Sequence, residues 1–238
     1  MSATVPVLAL RQLLHQRFPD AVPLVERANA VATGLGVVDA VLPGGGLPRG
    51  RLTAWASAGG ATAVLSAACL TTVAAGERAV WIDAAAAGGV GWAEGPLLLR
   101  PTGVVSAFRS AETVLRSGAF ALVVLAGAEP AEATRVRLAH AAREGGAAFV
   151  LLVVSVAPGS AQGGPSAALR VGSRLLAHDY RWRHGPFGDP AEPVATVVEV
   201  RVRAASWSRC ARVPLSIAPC DLRLPLGLGL ADRRGESR

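Results

Sequence analysis

Apolar and polar residues alternate with two periods along most of the chain, and the order of these periods predicts the secondary structure. Helical spacing or a helix-forming composition predicts helices over residues 7–18, 61–75, 105–117 and 131–144. Short apolar runs bounded by glycine or proline predict strands over residues 51–56, 79–83, 119–125 and 148–155. Between the first helix and the first strand, residues 32–50 are rich in turn residues, which indicates a structured loop.

The pattern changes near residue 169, beyond which strands follow one another without helices between them. Strands are predicted over residues 169–178, 194–203 and 209–217. Alternation is clearest in the second of these, with Val198, Val200 and Val202 on one side and Glu199, Arg201 and Arg203 on the other. Strands that alternate with helices and then run consecutively predict an α/β fold: a mostly parallel central sheet, helices on both faces and an antiparallel C-terminal extension.

Composition excludes several kinds of chemistry. All 24 basic residues are arginine, against 17 acidic residues. Without lysine, neither Schiff-base catalysis nor the phosphate-binding lysine of a P-loop is available. The mean hydropathy is +0.40, yet the apolar runs over residues 119–128 and 147–157 are well short of the ~18 residues that a membrane-spanning helix needs. We therefore expect no membrane association.

The cysteines and the N-terminal residues bear on cellular location. No basic stretch precedes an apolar run near the N-terminus, so we expect no secretory signal and a cytoplasmic protein. Cys69, Cys210 and Cys220 are odd in number and widely spaced, which favours reduced thiols over disulfides or a metal site. We expect no metal and no other cofactor.

A turn-rich segment carries a family resemblance. Thr33-Gly34, Asp39 and the run Leu-Pro-Gly-Gly-Gly-Leu-Pro-Arg-Gly over residues 42–50 resemble the entry to the ATPase core of the recombinase RecA. The likeness continues in order through residues 81–84, 116–119 and 200–204, and it spans roughly residues 30–217. It implies a RecA-like core over residues 30–218, preceded by an N-terminal amphipathic helix and connector over 1–29 and followed by a tail over 219–238.

The resemblance also locates the position of a P-loop. A functional P-loop needs G-x-x-x-x-G-K-[ST], in which backbone N–H groups and a lysine hold the phosphates. With Gly60 and Thr62 aligned to that pattern, Trp55 occupies the first glycine position and Ala61 the lysine position, with Gly59 beside them. The loop is therefore degenerate at both ends.

Two carboxylates that the resemblance implies are also replaced. The residue that activates water corresponds to Ala85, and the Mg²⁺-supporting aspartate at the end of a later strand corresponds to Ala126. Asp83 remains, and we interpret it as a strand-end carboxylate that caps a turn rather than as a catalytic group. We expect a pseudo-ATPase with no catalytic residues and no nucleotide.

Three segments are candidates for binding proteins. The predicted N-terminal helix carries an apolar face formed by Leu10, Leu13, Leu14 and Phe18. Arg201 and Arg203 match a basic pair that in the resembled family reaches a neighbouring subunit's nucleotide, and here they are either a retained protein-binding pair or relics on an exposed strand. The tail carries Leu222, Leu224 and Leu226, which either dock on a partner as an added strand or cover the core.

DNA binding is expected to be weak or absent. The two DNA-gripping loops that the resemblance implies are trimmed, since residues 127–133 pass almost directly into a helix and residues 157–168 form a short segment without charge. Arg181, Trp182 and Arg183 combine basic and aromatic side chains that can hold phosphates and stack on bases. The alternative is an ordinary solvated strand with the tryptophan packed beneath it.

The combination of these features resembles the ImuA family, RecA-like components of the bacterial mutasome. That resemblance implies a non-catalytic adaptor in damage-induced (SOS) translesion synthesis and mutagenesis. The implied partners are the Y-family polymerase homologue ImuB, the recombinase RecA, an error-prone C-family polymerase and further copies of the chain. A cell-division inhibitor resembling SulA, which binds the tubulin-like division protein, is the alternative; the chain length and the arginine-rich strands favour the ImuA family.

Overall fold

The computed structural model describes residues 29–85, 95–154, 167–204 and 207–216. The predicted N-terminal helix and the tail lie outside these ranges, as do most of the two glycine-rich loops. Within them the elements in chain order are β1 (Ala30–Val31), α1 (Gly36–Asp39), β2 (Leu47–Pro48), β3 (Arg51–Ala58), α2 (Ala61–Ala74), β4 (Ala79–Asp83), β5 (Leu97–Leu99), α3 (Val104–Arg116), β6 (Leu122–Ala126), α4 (Glu132–Gly145), β7 (Ala148–Val154), β8 (Leu169–Leu175), β9 (Arg181–His184), β10 (Pro190–Arg203) and β11 (Ser208–Ser216).

One large sheet organises the described part of the chain. Its strands lie in the order β11-β10-β8-β3-β7-β6-β4-β5, and β9 pairs with β10 outside this row. The six strands from β8 to β5 are parallel to their neighbours, whereas β10 runs antiparallel to β8, β9 and β11. The prediction of a mostly parallel sheet with an antiparallel extension is confirmed.

Helices cover both faces of the parallel part. Residues of β6 alternate between two cores: Leu122 and Val124 pack on the side of α2, while Val123 and Leu125 pack on the side of α3 and α4. This two-residue alternation is what a strand buried on both faces requires. The segment that contains β1, α1 and β2 lies on the α2 side, where it also contributes to the core that backs β10.

The entry segment is held by side-chain hydrogen bonds among the residues that carried the resemblance. Asp39 accepts hydrogen bonds from the Thr33 backbone N–H and from Thr33 Oγ1, both at 2.8 Å. Gly34 has φ +76°, and a Cβ there would lie 2.1 Å from Thr71 Oγ1 on α2. The hydrogen bonds therefore fix the shape of the entry segment, and Gly34 allows it to lie against α2; both roles are structural.

The predicted elements and the observed ones differ at their ends. Helices α2, α3 and α4 lie within a residue or so of the predicted ranges, and β4 has the predicted bounds. The strand predicted over 169–178 is too long, because it ends at Leu175 and a 3-10 turn follows over Ala177–Asp179. The strand predicted over 119–125 starts only at Leu122, and β3 continues two residues past the predicted end.

Five of the described elements are absent from the sequence prediction, among them the two-residue strands β1 and β2. Strand β5 is only three residues long, and α1 forms a single turn inside the segment interpreted as a loop. Strand β9 and the first four residues of β10 form a hairpin that lies outside the predicted strand ranges. Prolines are tolerated there because this ribbon lies outside the central sheet and its pairing shifts register.

Candidate functional site

The positions expected to hold catalytic groups meet at one edge of the sheet. Strands β3, β4 and β6 are parallel, so their carboxyl ends share an edge, which is where open α/β sheets bind ligands. The Ala84 N–H donates to the Ala126 carbonyl at 2.9 Å, and a Cβ at Gly127 would lie 2.5 Å from the Ala85 Cβ. Ala85 and Ala126, which the resemblance aligns with two carboxylates, are therefore neighbours. Asp83, half-buried, lies opposite Ala126 in the strand register.

Strand β3 continues through the first half of the P-loop position. Trp55 lies opposite Leu152 of β7 and Val171 of β8, and the pairing with β8 persists as far as Ala58. Residues 55–58 are therefore extended and paired within the sheet. A phosphate cradle needs a curved loop whose N–H groups point at the ligand. This backbone instead belongs to the sheet ladder.

The Trp55 side chain is part of the core. The residue is 1% exposed, and its indole N–H donates to Ser173 Oγ on β8 at 3.0 Å. A buried indole N–H needs such a partner, since an unpaired one would lose its hydration without compensation. The tryptophan at the first glycine position thus ties β3 to β8.

The Gly59-Gly60 turn packs against the antiparallel extension. Both residues have left-handed backbone angles, φ +119° and +78°. A Cβ at Gly59 would lie 2.8 Å from Leu175 Cγ, and one at Gly60 would lie 2.3 Å from Val198 Cγ2. The Gly59 N–H also donates to Ser57 Oγ at 3.2 Å. One face of the turn is therefore filled by apolar side chains of β8 and β10.

The residue at the lysine position of the loop is also buried. Ala61 begins α2 and is 1% exposed, within the core on that side of the sheet. Thr62, the hydroxyl position, is exposed on the helix surface. Within the described ranges no group of three or more histidine, cysteine or acidic side chains is arranged to hold a metal ion.

A second feature lies on the sheet face opposite α2, at β8, β9, β10 and β11. The paired registers place seven exposed arginines on this side: Arg170, Arg174, Arg181, Arg183, Arg201, Arg203 and Arg212. We call this set the arginine face. Val198, Val200 and Val202 point the other way into the core, as the alternation predicted.

Glu199 lies within the arginine face and binds two of its members. Arg174 approaches Glu199 Oε1 at 2.9 Å and Arg201 approaches the same oxygen at 3.3 Å. Arg212 lies opposite Glu199 in the register with β11. The carboxylate is buried to about nine-tenths, so the arginines screen it from solvent, while Arg174 and Arg201 themselves remain nearly half exposed.

Two candidate pairs that are far apart in sequence share the arginine face. Arg181 lies opposite Ala195, which has the same orientation along β10 as Arg201 and Arg203. Arg183 follows two residues later and approaches Glu192 at 3.5 Å. The sequence named both pairs but did not join them, although arginines at every second position of successive strands were a usable signal.

The aromatic side chains lie elsewhere. Trp182 alternates with its arginine neighbours along β9 and is 46% exposed, with its ring centroid 6.2 Å from that of Tyr180. The Arg209 guanidinium lies 4.9 Å from the Trp207 ring centroid, on the side of β11 away from the arginine face. In the hairpin turn, Phe187 is 95% exposed.

The remaining candidate residues lie outside the described ranges. They are Leu10, Leu13, Leu14 and Phe18 of the predicted N-terminal helix and Leu222, Leu224 and Leu226 of the tail. Among the helices that the structure does describe, none has both the length and the apolar character needed to cross a membrane.

Comparison with known proteins adds no relative. No model of a known protein family matches the chain, and no curated protein matches it at a significant level.

Proposed function

We propose that this protein is a non-catalytic RecA-like adaptor of the ImuA type that acts in the cytoplasm during damage-induced translesion synthesis. Its partners on this proposal are an ImuB-like Y-family polymerase homologue, the RecA recombinase, the error-prone C-family polymerase and copies of itself. Support comes from the entry motif and from a central parallel sheet in which β3, a glycine turn and α2 follow one another as in a P-loop unit.

The observation that carries the proposal is that the residues aligned with a P-loop lie in the sheet and the core. Residues 55–58 pair with β7 and β8, and Trp55 is buried with its N–H on Ser173. Ala61 supplies no cation, and Ala85 and Ala126 supply no carboxylate. Phosphoryl transfer depends on positioning and on charge stabilisation of the phosphates, and these positions provide neither. On this proposal the molecule acts by binding other proteins.

Nucleotide titration tests the non-catalytic part of the proposal. Isothermal calorimetry with ATP and Mg²⁺ should give no heat of binding for the natural protein. It should also give none for Ala61→Lys, because restoring the cation does not free the backbone of residues 55–58 from the sheet. Micromolar ATP binding by either protein, abolished by Thr62→Ala, would contradict the proposal.

Co-purification tests the adaptor role. The tagged full-length chain should retain the Y-family polymerase-like protein and the recombinase encoded by the same genome. An unrelated arginine-rich protein of similar net charge serves as the control for non-specific retention. Retention of the tubulin-like division protein alone would replace this proposal with the SulA-like alternative, and retention of none of the three would overturn both.

A further inference from the structure

We propose that the arginine face binds the phosphodiester backbone of nucleic acid without reading its sequence. The four strands that carry the face contribute seven arginines to it and contain two carboxylates, Glu192 and Glu199. Both carboxylates are already engaged by arginines of the face. The excess positive charge is therefore directed at solvent, where phosphate groups supply the complementary charge. This inference does not depend on the adaptor role.

The strongest single observation is a pair of like charges. Arg170 and Arg203 lie directly opposite each other on β8 and β10, and both are exposed. In the part of the chain that the structure describes, neither forms an ion pair. Like charges directly opposite on neighbouring strands destabilise a sheet. Phosphate groups bound by the two side chains would offset that repulsion.

The layout of the face fits a linear polyanion better than a small ligand. Arg201 and Arg203 are two residues apart on one side of β10, a spacing of about 7 Å. From Ala195, which is paired with Arg181, to Arg203 the strand covers about 27 Å. The arginines thus form an elongated strip on an open sheet surface, beyond the part of the sheet that α3 and α4 cover.

The chemistry of the strip predicts sequence-independent binding. Guanidinium groups on an open face contact phosphate oxygens, which carry no base information. Trp182 lies on the reverse side of β9 from Arg181 and Arg183, so base stacking does not belong to this site. Binding of this kind is micromolar or weaker at physiological salt and falls steeply as salt rises.

The test compares two variants of equal charge. Arg170→Gln/Arg203→Gln removes the opposed pair from the arginine face. Arg116→Gln/Arg137→Gln removes two arginines of α3 and α4 that bind Glu112 instead. Fluorescence anisotropy is measured with a labelled 20-nucleotide single strand and a 20-base-pair duplex between 50 and 200 mM NaCl, and polyglutamate serves as the acidic-polypeptide probe.

The first variant should lose two phosphate contacts, which lowers the salt slope by about 1.4 for the single strand and about 1.8 for the duplex. At 100 mM salt, one decade below the 1 M at which such contacts contribute nothing, binding should therefore be about 25-fold weaker for the single strand and about 60-fold weaker for the duplex. The melting temperature of this variant should be unchanged or higher, because the opposed charges are gone. The control should bind like the natural protein. Equal losses of nucleic acid affinity in the two variants would overturn the proposal. So would an affinity of the natural protein for polyglutamate equal to its affinity for the nucleic acids.

A second variant separates binding from folding. If Arg170→Gln/Arg203→Gln melts at a lower temperature, Arg181→Gln on the β9 hairpin is measured instead, and unchanged DNA affinity there would also overturn the proposal. Retention of the polymerase-like partner by these variants reports on the adaptor role separately, so either idea can fail without the other.

Discussion

Cys69 is a side chain of α2 that is completely buried. The residue is fully buried in the core between α2 and the sheet. Burial raises the pKa of its thiol from 9.0 to about 12, because a thiolate there would lose its hydration. The thiolate is the nucleophile in alkylation, so a thiol held neutral is unreactive. Cys210, by contrast, is exposed on β11.

We therefore predict that iodoacetamide at pH 8 alkylates Cys210 in the native protein and leaves Cys69 unmodified, while both react in urea. Peptide mass mapping measures this. Because the folded-state pKa is raised, the stability that the neutral thiol contributes is complete below about pH 9 and is lost as pH rises toward 12. Cys69→Ala should lack this loss, and native alkylation of Cys69 at the rate of Cys210 would contradict the burial.

At the scale of elements, the turn between β3 and α2 joins the parallel sheet to its antiparallel extension. Gly60 combines a left-handed backbone with close approach to Val198, so an added methyl group there meets both a conformational and a steric penalty. Gly76, just after α2, has the same φ of +78° but nothing within 4 Å of its Cβ position. Substitution of Gly76 therefore measures the conformational penalty alone, and substitution of Gly60 measures the conformational and steric penalties together.

Gly76→Ala should lower the free energy of unfolding by about 1 to 2 kcal/mol, the cost of a left-handed alanine. Gly60→Ala should lower it by a further 1 to 3 kcal/mol, roughly the cost of overpacking a core. Urea unfolding followed by circular dichroism gives both values. Equal effects of the two substitutions would mean that β10 does not pack on the turn as described.

The whole molecule is expected to divide its binding roles between its ends. Deleting residues 1–22 should abolish self-association and recombinase binding, because the predicted helix offers one apolar face and each buried side chain contributes about 1.5 to 3 kcal/mol before ordering costs. Truncation after Asp221 should remove the polymerase-like partner. Co-purification measures both, and circular dichroism confirms that the core stays folded. Two folded truncations that keep every partner would contradict this division.

How much of the molecule the sequence predicts depends on the range of the interactions involved. Strand β4 was predicted to the residue because its apolar run and flanking turns are local signals. Strand β9 was missed because its pairing with β10 is shifted in register near Pro193. The arginine face was not predicted as a unit, since it depends on how Arg181 and Arg201 align across strands. The sequence placed Trp55 in a predicted strand and at the first glycine position of a degenerate P-loop, but its hydrogen bond to Ser173 required the fold.

The burial of Trp55 also bears on the evolutionary history that the proposed relationship to ATPases implies. A lineage that had lost only a lysine could regain it by substitution at one codon. Here the chain would also have to replace a large core side chain, release Ser173 and convert paired strand into loop. Each intermediate would contain a cavity or an unpaired polar group and be less stable than its parent. Selection for a folded protein would then oppose the first steps of reversal, and on the proposed relationship a loss of nucleotide chemistry would be a one-way change.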